Sequence, residues 1–534
     1  MLSKKKSISE LLQSWQYDEE LKQNIIHWHT LDGKRAEYAP FPDELHPSLQ
    51  KALRLRGIEQ LYTHQREAFD KATSGTSFTA ITPTASGKSL CYHLPVLQEI
   101  INDKSSRAIY LFPTKALAQD QKTDLNELIE ATGEEVLSYT YDGDTAPGIR
   151  MKIRKAGHIV MTNPDMLHSG ILPHHTKWVS LFENLKYIVI DELHTYKGVF
   201  GSHVAHVIRR LKRICAFYGA NPIFICTSAT IKNPKELAES LTNEKHELIT
   251  KSGAPVGKKT FIFYNPPIVN PTFGVRRSAV LEVRDLSKRL FEAGIQTIIF
   301  AKSRVRVEML VTYLKSLTFN KIGDESIQGY RGGYLPSERR AIEKGLRDGS
   351  IQMVVSTNAL ELGVDIGQLQ ACIMTGYPGN IASAWQQAGR AGRRQEEALI
   401  IYVAQSTALD QYIVNHPTYF FGTHPEEVRI NPDNIIILMD HLKCAAFELP
   451  FSMTDTYGEF TVQELLAYLE EEGVLVKTST QWHWMSDRFP AHEISLRSAA
   501  QENVVIIDIT EPKNKVIGEM DTYSAMTLLH EEAI

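Results

Sequence analysis

Short apolar, β-branched runs recur along this chain, and polar segments with helical spacing fill the intervals between them. FTAI begins at Phe78, AIYLF at Ala108, HIVM at His158, YIVI at Tyr187 and IFIC at Ile223. That alternation predicts a parallel sheet covered by helices on both faces. In one intervening segment Val204, Val207, Ile208, Leu211 and Ile214 fall at helical spacing. Its other face, with Arg209, Arg210, Lys212 and Arg213, reads as a solvated surface. After Thr250 the chain becomes rich in Gly, Pro and Asn through SGAPVG and YNPPIVNPTFG, which denies helix and strand and predicts a linker. A second alternating block follows, with TIIF from Thr297, MVV from Met353, ACIM from Ala371 and ALIIY from Ala398. From about Pro425 helical segments precede LVKT and WHWM, whose strand-like alternation suggests a small winged-helix-like domain.

Composition narrows the class. At roughly 150 residues per domain, 534 residues make about three to four domains. Lys and Arg number 58 against 63 Asp and Glu, a net charge of -5, so any nucleic-acid site must be a local groove. Five scattered cysteines with no C-x-x-C speak against disulfides and a four-thiolate zinc site, and fit a reducing cytosol. No apolar run has the length of a membrane span, and MLSKKKSISELLQSW lacks the apolar core of a signal peptide. A soluble cytoplasmic protein is expected. His203 and His206, and His27 and His29 flanking Trp28, lack Cys or carboxylate partners at metal spacing, so structural or surface roles are expected of them.

The chemistry starts at TPTASGKS, Thr82 to Ser89, directly after the FTAI strand. A glycine-bearing turn between strand and helix lets backbone amides cradle phosphates, here those of Thr84, Ala85, Ser86 and Gly87. Lys88 then reaches the β- and γ-phosphates and the Ser89 hydroxyl meets magnesium. Thr82 stands where such loops usually carry their first glycine. DELH closes the YIVI strand; Asp191 is expected to hold magnesium and Glu192 to polarise the attacking water.

The order TPTASGKS, FPTKALAQDQ, TNPDML, DELH, SAT, STNALELGVDIG and QQAGRAGRR resembles superfamily-two helicases over residues 60 to 400. LYTHQREAF, YDGDT, YRGGY, DQYIVNHPTYFF and HLKCAAFELP are similar to the bacterial mitomycin-repair helicases, kin to the fungal RecQ-four-like helicase and the long helicase-related group. The resemblance implies an α/β fold of two RecA-like lobes with parallel sheets, an N-terminal helical extension and a C-terminal winged-helix-like domain. The expected boundaries are 1–55 for the extension, 56–250 for lobe 1, 251–272 for the linker, 273–424 for lobe 2 and 425–534 for the accessory domain. ATP and Mg²⁺ would lie between the lobes, with Tyr62 stacking on adenine, Gln65 reading its edge, and Gly363 and Asp365 near the ribose or catalytic water. Gln386, Arg390 and Arg393 would enter from lobe 2, the arginines as planar cations for a phosphoryl-transfer transition state. Ser228 and Thr230 would couple phosphate state to grip on the strand.

Thr114, Lys115, Asn163, Ser303, Arg304, Arg331 and Thr357, in polar loops at strand ends, are the expected nucleic-acid contacts. The implied function is an ATP-driven motor on single-stranded or tailed DNA, 3′ to 5′ by resemblance, acting in DNA repair, with a monomer expected. A nucleic-acid-stimulated ATPase that clamps without unwinding, and an RNA helicase, are the alternatives. The family's C-terminal four-cysteine zinc module is missing, so zinc is not expected and the chain reads as truncated or naturally shortened.

Overall fold

The computed structural model describes residues 6–83, 86–318, 324–361, 363–364, 366–367, 369–392, 396–458, 460–497, 503–510 and 515–521. Two seven-stranded sheets form its frame. In lobe 1 the strand order is Glu247–Ile249, Phe78–Ile81, Ile223–Ser228, Leu185–Ile190, Arg107–Leu111, Ile159–Thr162 and Ser138–Thr140, parallel throughout. The central strands are buried along their length, which is why they read as continuous apolar runs rather than alternating ones. Helices on both faces close separate cores, one around Phe69, Leu97 and Leu128, the other around Trp178, Ile208 and Phe224.

Lobe 2 repeats the plan with a departure from expectation. Its sheet runs Ile25–Leu31, Lys259–Tyr264, Ala398–Val403, Ala371–Thr375, Thr297–Phe300, Met353–Ser356 and Ile327–Tyr330. The strand Lys259–Tyr264 lies inside the stretch 251–272 expected to be linker. Its KTFIFY core is buried between two strands, and the prolines that argued against structure flank it rather than interrupt it. The crossing between lobes is accordingly shorter, and Val256 pairs there with Lys34.

The N-terminal region divides between the lobes. Helix Ile8–Gln16, capped by Ser7 and Glu10, buries Ile8, Leu11, Leu12 and Trp15 in the lobe 2 core. Strand Ile25–Leu31 then adds antiparallel to Lys259–Tyr264. Helix Pro47–Leu55 instead packs Leu49, Ala52 and Leu53 into lobe 1. His29 stacks at 4.0 Å on Phe421, so this histidine pair covers a sheet face as structural residues.

The last domain is a winged helix. Helices Ile435–Glu448 and Gln463–Glu471 pack on a three-stranded antiparallel sheet around Leu442, Phe451, Leu466 and Trp482. It docks on the lobe 1 helix Gly198–Phe217 through the face expected to be solvated. Arg210 is fully buried and paired with Glu448, and Arg209 is buried too. Arg213 caps the end of Ile435–Glu448 by donating to the carbonyls of Ala445 (2.8 Å) and Leu449 (2.9 Å), lying over the Phe451 ring. The basic face is an interface, and its counter-charge comes from 238 residues away.

Candidate active site between the lobes

The phosphate-loop candidate leaves strand Phe78–Ile81 and enters helix Ser89–Asn102, with Gly87 at φ +76°. Only glycine takes that conformation without strain, and a Cβ there would come within 2.6 Å of the Gln65 amide. Thr82 replaces the usual glycine for a visible reason: it is buried and its hydroxyl bonds that of Ser86 at 2.6 Å. Gln65 accepts from the Tyr62 N–H (3.0 Å) and donates to the Gly87 carbonyl (2.9 Å), so its amide braces the loop. Tyr62 stacks on Tyr38. Thr84 and Ala85 lie outside the described residues.

His64, which the sequence reading passed over, joins this loop to the interlobe crossing. Its Nδ1 accepts from the Gly253 N–H (3.2 Å), leaving Nε2 to donate to the Ser86 carbonyl (3.1 Å). Burial holds the ring neutral, its pKa lowered to about 4. A histidine beside the loop in LYTHQ was the available signal.

Across the loop, strand Leu185–Ile190 ends in Asp191 and Glu192. Glu192 adopts φ 52°, ψ 49°, a left-handed conformation costly for a residue with a side chain and typical of functional positions. Asp191 accepts from Thr227 and from the Glu192 N–H (2.9 Å). Glu192 Oε2 lies 3.9 Å from Lys88 Nζ and 3.5 Å from His194 Nδ1, buried and without a hydrogen bond among the described residues. Burial opposes its charge, but Lys88 and, from lobe 2, Arg390 outweigh that and hold its carboxyl below the usual value. Asp191 moves the other way: burial raises it, and the neighbouring Glu192 charge adds. Lys88 also donates to the Ser228 carbonyl (3.4 Å), so the SAT strand end touches the phosphate-loop lysine, whereas Thr230 is exposed.

Lobe 2 completes the enclosure. Both lobes line a cleft of about 1550 Å³: Gly87, Lys88, Ser89, Asp191 and Glu192 on one wall, Gly363, Gly389 and Arg390 on the other. His194 Nδ1 accepts from the Ala229 N–H (3.2 Å), so the neutral ring carries its proton on Nε2. That nitrogen lies 2.5 Å from Gln386 Nε2, and turning the amide over presents the oxygen that can accept its proton. Arg390 is buried and donates to the carbonyls of Glu361 (2.8 Å) and Val364 (3.0 Å), while Gln387 donates to the Glu361 carboxylate (2.9 Å). These bonds hold Glu361 and Val364 beside Glu192; a Cβ at Gly363 would stand 3.2 Å from Glu192 Oε1. Arg393 and Asp365 lie outside the described residues.

Comparison with known proteins decides the family. Residues 62–237 match the DEAD/DEAH box helicase family, 282–395 the helicase conserved C-terminal domain, and 430–499 the winged helix domain of the ATP-dependent helicase HRQ1. The chain is 62% identical over 532 residues to the ATP-dependent helicase YprA of Bacillus subtilis, covering 99% of itself and 70% of that protein. The chain belongs to the ATP-dependent helicases. It is also 36% identical to HRQ1 of Saccharomyces cerevisiae, of which it spans 50%. A crystal structure of the helicase MrfA bound to DNA and AMPPNP superposes with TM-score 0.91 at 62% identity, covering 99% of this chain and 73% of that one.

In this helicase the expected nucleic-acid residues fall at strand ends of both lobes. Thr114, Asn163 and Thr357 cap the turns that follow their strands, each accepting a backbone N–H. Ser303 does the same for Arg306 (3.3 Å), and Arg304 is exposed beside it. Lys115 is paired with Asp144 (3.1 Å) on the cleft wall. Arg331 is committed to Glu308 (2.7 Å) and lies over Tyr334. The reading from sequence missed Arg497 of the last domain, which donates to the Pro113 carbonyl (3.3 Å) and to Asp165 (3.2 Å) and so reaches both lobe 1 loops. Among the described residues no helix is long and apolar enough to cross a membrane.

Proposed function

We propose that this chain is a motor that hydrolyses ATP between its lobes to move along single-stranded DNA, 3′ to 5′, in the repair of damaged DNA. The observation that carries the reading is the split site. The carboxylates and phosphate loop stand on lobe 1, Gln386 and Arg390 on lobe 2, and His194 joins them. Hydrolysis therefore needs both walls together, which ties each turnover to a lobe movement. The relatives favour DNA over RNA, since MrfA is bound to DNA in the structure that this chain resembles.

Magnesium fits the residues present. Asp191 and Glu192 are adjacent buried carboxylates; burial first and then the Glu192 charge raise the Asp191 pKa, and a cation would favour its charged form. Ser89 offers a hydroxyl opposite them on the same wall. Among the described residues no group of three or more His, Cys, Asp or Glu could hold a metal, so the ion would be shared with phosphate oxygens, as magnesium usually is. Bound there, it would neutralise charge on the transferring phosphoryl group. Glu192 stays charged and orients the attacking water, Lys88 positions the phosphates, and Arg390 with Arg393 meets the charge that develops on the other side.

The test is ATP hydrolysis with and without single-stranded DNA or RNA, followed by displacement from duplexes with 3′ or 5′ tails. Stimulation by DNA and displacement from 3′ tails alone are expected. Stimulation without displacement would leave a clamp; preference for RNA would reassign the substrate.

A further inference from the structure

Between strand Lys259–Tyr264 and helix Ala279–Glu292 the chain forms a two-stranded ribbon, Ile268–Asn270 paired antiparallel with Val275–Arg276. Its turn is built rather than slack. The Phe273 N–H donates to the Asn270 side chain (3.3 Å), and Gly274 takes φ +61°, where glycine is unstrained. The root is fixed by the Arg277 N–H on the Pro267 carbonyl (2.9 Å) and by the Arg276 guanidinium on the Pro266 carbonyl (2.7 Å). This ordered ribbon displays apolar side chains to solvent: Phe273 is 79% exposed, Val269 59%, Ile268 50% and Val275 49%. Scattered exposed residues need no explanation, but a run of them on one projecting ribbon marks a contact surface.

At the root of the ribbon lies a cavity of about 150 Å³ lined by Arg276, Arg277, Ser278, Arg306 and Ser406. Arg277 is neutralised by Glu282 (2.6 Å) and Asp285 (2.9 Å). Arg276 and Arg306 meet no carboxylate among the described residues, and the Arg306 guanidinium makes no hydrogen bond there either. Helices Ala279–Glu292 and Arg304–Thr318 both begin at this cavity, so their N-terminal partial charges add to those of the arginines. Guanidinium groups without counter-ions, gathered around a small cavity, favour an anion such as a phosphate. Phe273 is three residues from Arg276, within about 10 Å along the chain, which suits a base and a nearby phosphate of one strand.

We propose that the ribbon and the arginine cavity form a single-strand nucleic-acid subsite on lobe 2, with a phosphodiester at Arg276 and Arg306 and a base stacked on Phe273. The inference rests on the motor reading above and extends the path beyond Ser303 and Arg304. An aromatic face beside phosphate-binding cations is the pairing that sequence-tolerant strand binding requires. A protein partner would use the apolar ribbon but leave the arginines unmatched.

The test compares the full chain with Phe273→Ala and Arg306→Ala, using an oligothymidylate strand, its RNA counterpart and a strand carrying 2-aminopurine. Phe273→Ala should weaken strand binding about tenfold with an unchanged salt slope, and relieve part of the 2-aminopurine quenching. Arg306→Ala should make the slope of log K against log salt shallower by about 0.7. ATP hydrolysis without nucleic acid should stay at the parent level in both. Parent-like binding of all three probes by both variants would overturn the subsite and leave the motor reading standing. Failure of the unmodified chain to bind any strand would overturn both. If Phe273→Ala instead dissolves a self-association seen by light scattering while strand affinity is kept, the ribbon is a protein contact and the proposal fails.

Discussion

Lobe 1 meets the winged helix through a closed polar seam and lobe 2 through an open cleft. In the seam Arg210 donates to Glu448, to Nδ1 of His168 (2.6 Å) and to Nδ1 of His441 (3.3 Å). His441 therefore carries its proton on Nε2 and donates to Nδ1 of His203 (3.0 Å), while His168 donates to the Ala491 carbonyl (3.0 Å). His206 donates to the Pro432 carbonyl (2.7 Å). The donor order leaves each imidazole neutral and spends the buried cation on a single carboxylate. The cleft has the opposite make-up: Lys88, Asp191 and Glu192 line an open space, and among the described residues His194–Gln386 is a polar link across it. A buried network of many bonds is costly to open, whereas a cleft held by few bonds responds to a ligand. On the motor reading proposed above, that difference would make lobe 1 and the winged helix one body and lobe 2 the part that swings.

The largest expected effect separates chemistry from architecture. Glu192→Gln should lower ATP turnover by about 10³-fold, within the range for losing a positioned base, while nucleotide affinity and thermal stability stay near the parent. Turnover within tenfold of the parent would remove Glu192 from its role. In the seam, Glu448→Ala should do the reverse. It strands Arg210 without a counter-charge and should cost about 3–5 kcal/mol in denaturant unfolding. Arg210→Met combined with Glu448→Leu should recover most of that loss, because the pair exchanges for apolar contact. A double variant as unstable as the single one would mean that the histidines, and not the ion pair, hold the seam.

Acid sharpens the contrast. Burial lowers the pKa of His203 to about 4 and that of His206 to about 3, with Arg209 adding to the latter; burial, joined by Arg210, puts His168 and His441 well below 6.5. The unfolded chain thus binds more protons than the native one between about pH 6.5 and 4, so stability falls as pH drops through that window and is fully present above it. Thermal melts should shift downward from pH 7 to pH 5, and the shift should shrink in His441→Phe. An unchanged pH dependence in that variant would place the acid-sensitive groups elsewhere.

The cleft was more legible in the sequence than the seam because its parts are local. FTAI followed by GKS, and YIVI followed by DELH, each put a strand, a turn and the reactive side chain within a few residues, and the structure keeps them so. The seam is assembled over long range. Arg210 needs Glu448, and until that partner is placed a row of arginines on a helix looks like solvent. The strand Lys259–Tyr264 was hidden for a related reason. Averaged with Pro255, Pro266 and Pro267, its KTFIFY run disappears into a loop composition, and its pairing with Ile25–Leu31 spans more than two hundred residues. Thr82 looked like a defect in the phosphate loop until its bond to Ser86 showed what the hydroxyl does.

The smallest expected effect tests whether the cleft is the moving joint. The bond between His194 and Gln386 is a neutral one, of the kind worth about 1 kcal/mol net, so losing it should change the ratio of closed to open lobes about fivefold. Gln386→Ala should therefore reduce interlobe energy transfer between dyes on the two lobes when AMPPNP is present, and leave it unchanged without nucleotide. Unfolding of the variant should match the parent, because one hydrogen bond between the lobes contributes little to holding either lobe together. Turnover should fall by a similar small factor through the closed population, whereas Glu192→Gln acts on the chemical step itself. If Gln386→Ala instead destabilised the protein as much as Glu448→Ala, the cleft would be as permanent as the seam, and lobe 2 would have to be counted with lobe 1 and the winged helix as one rigid body.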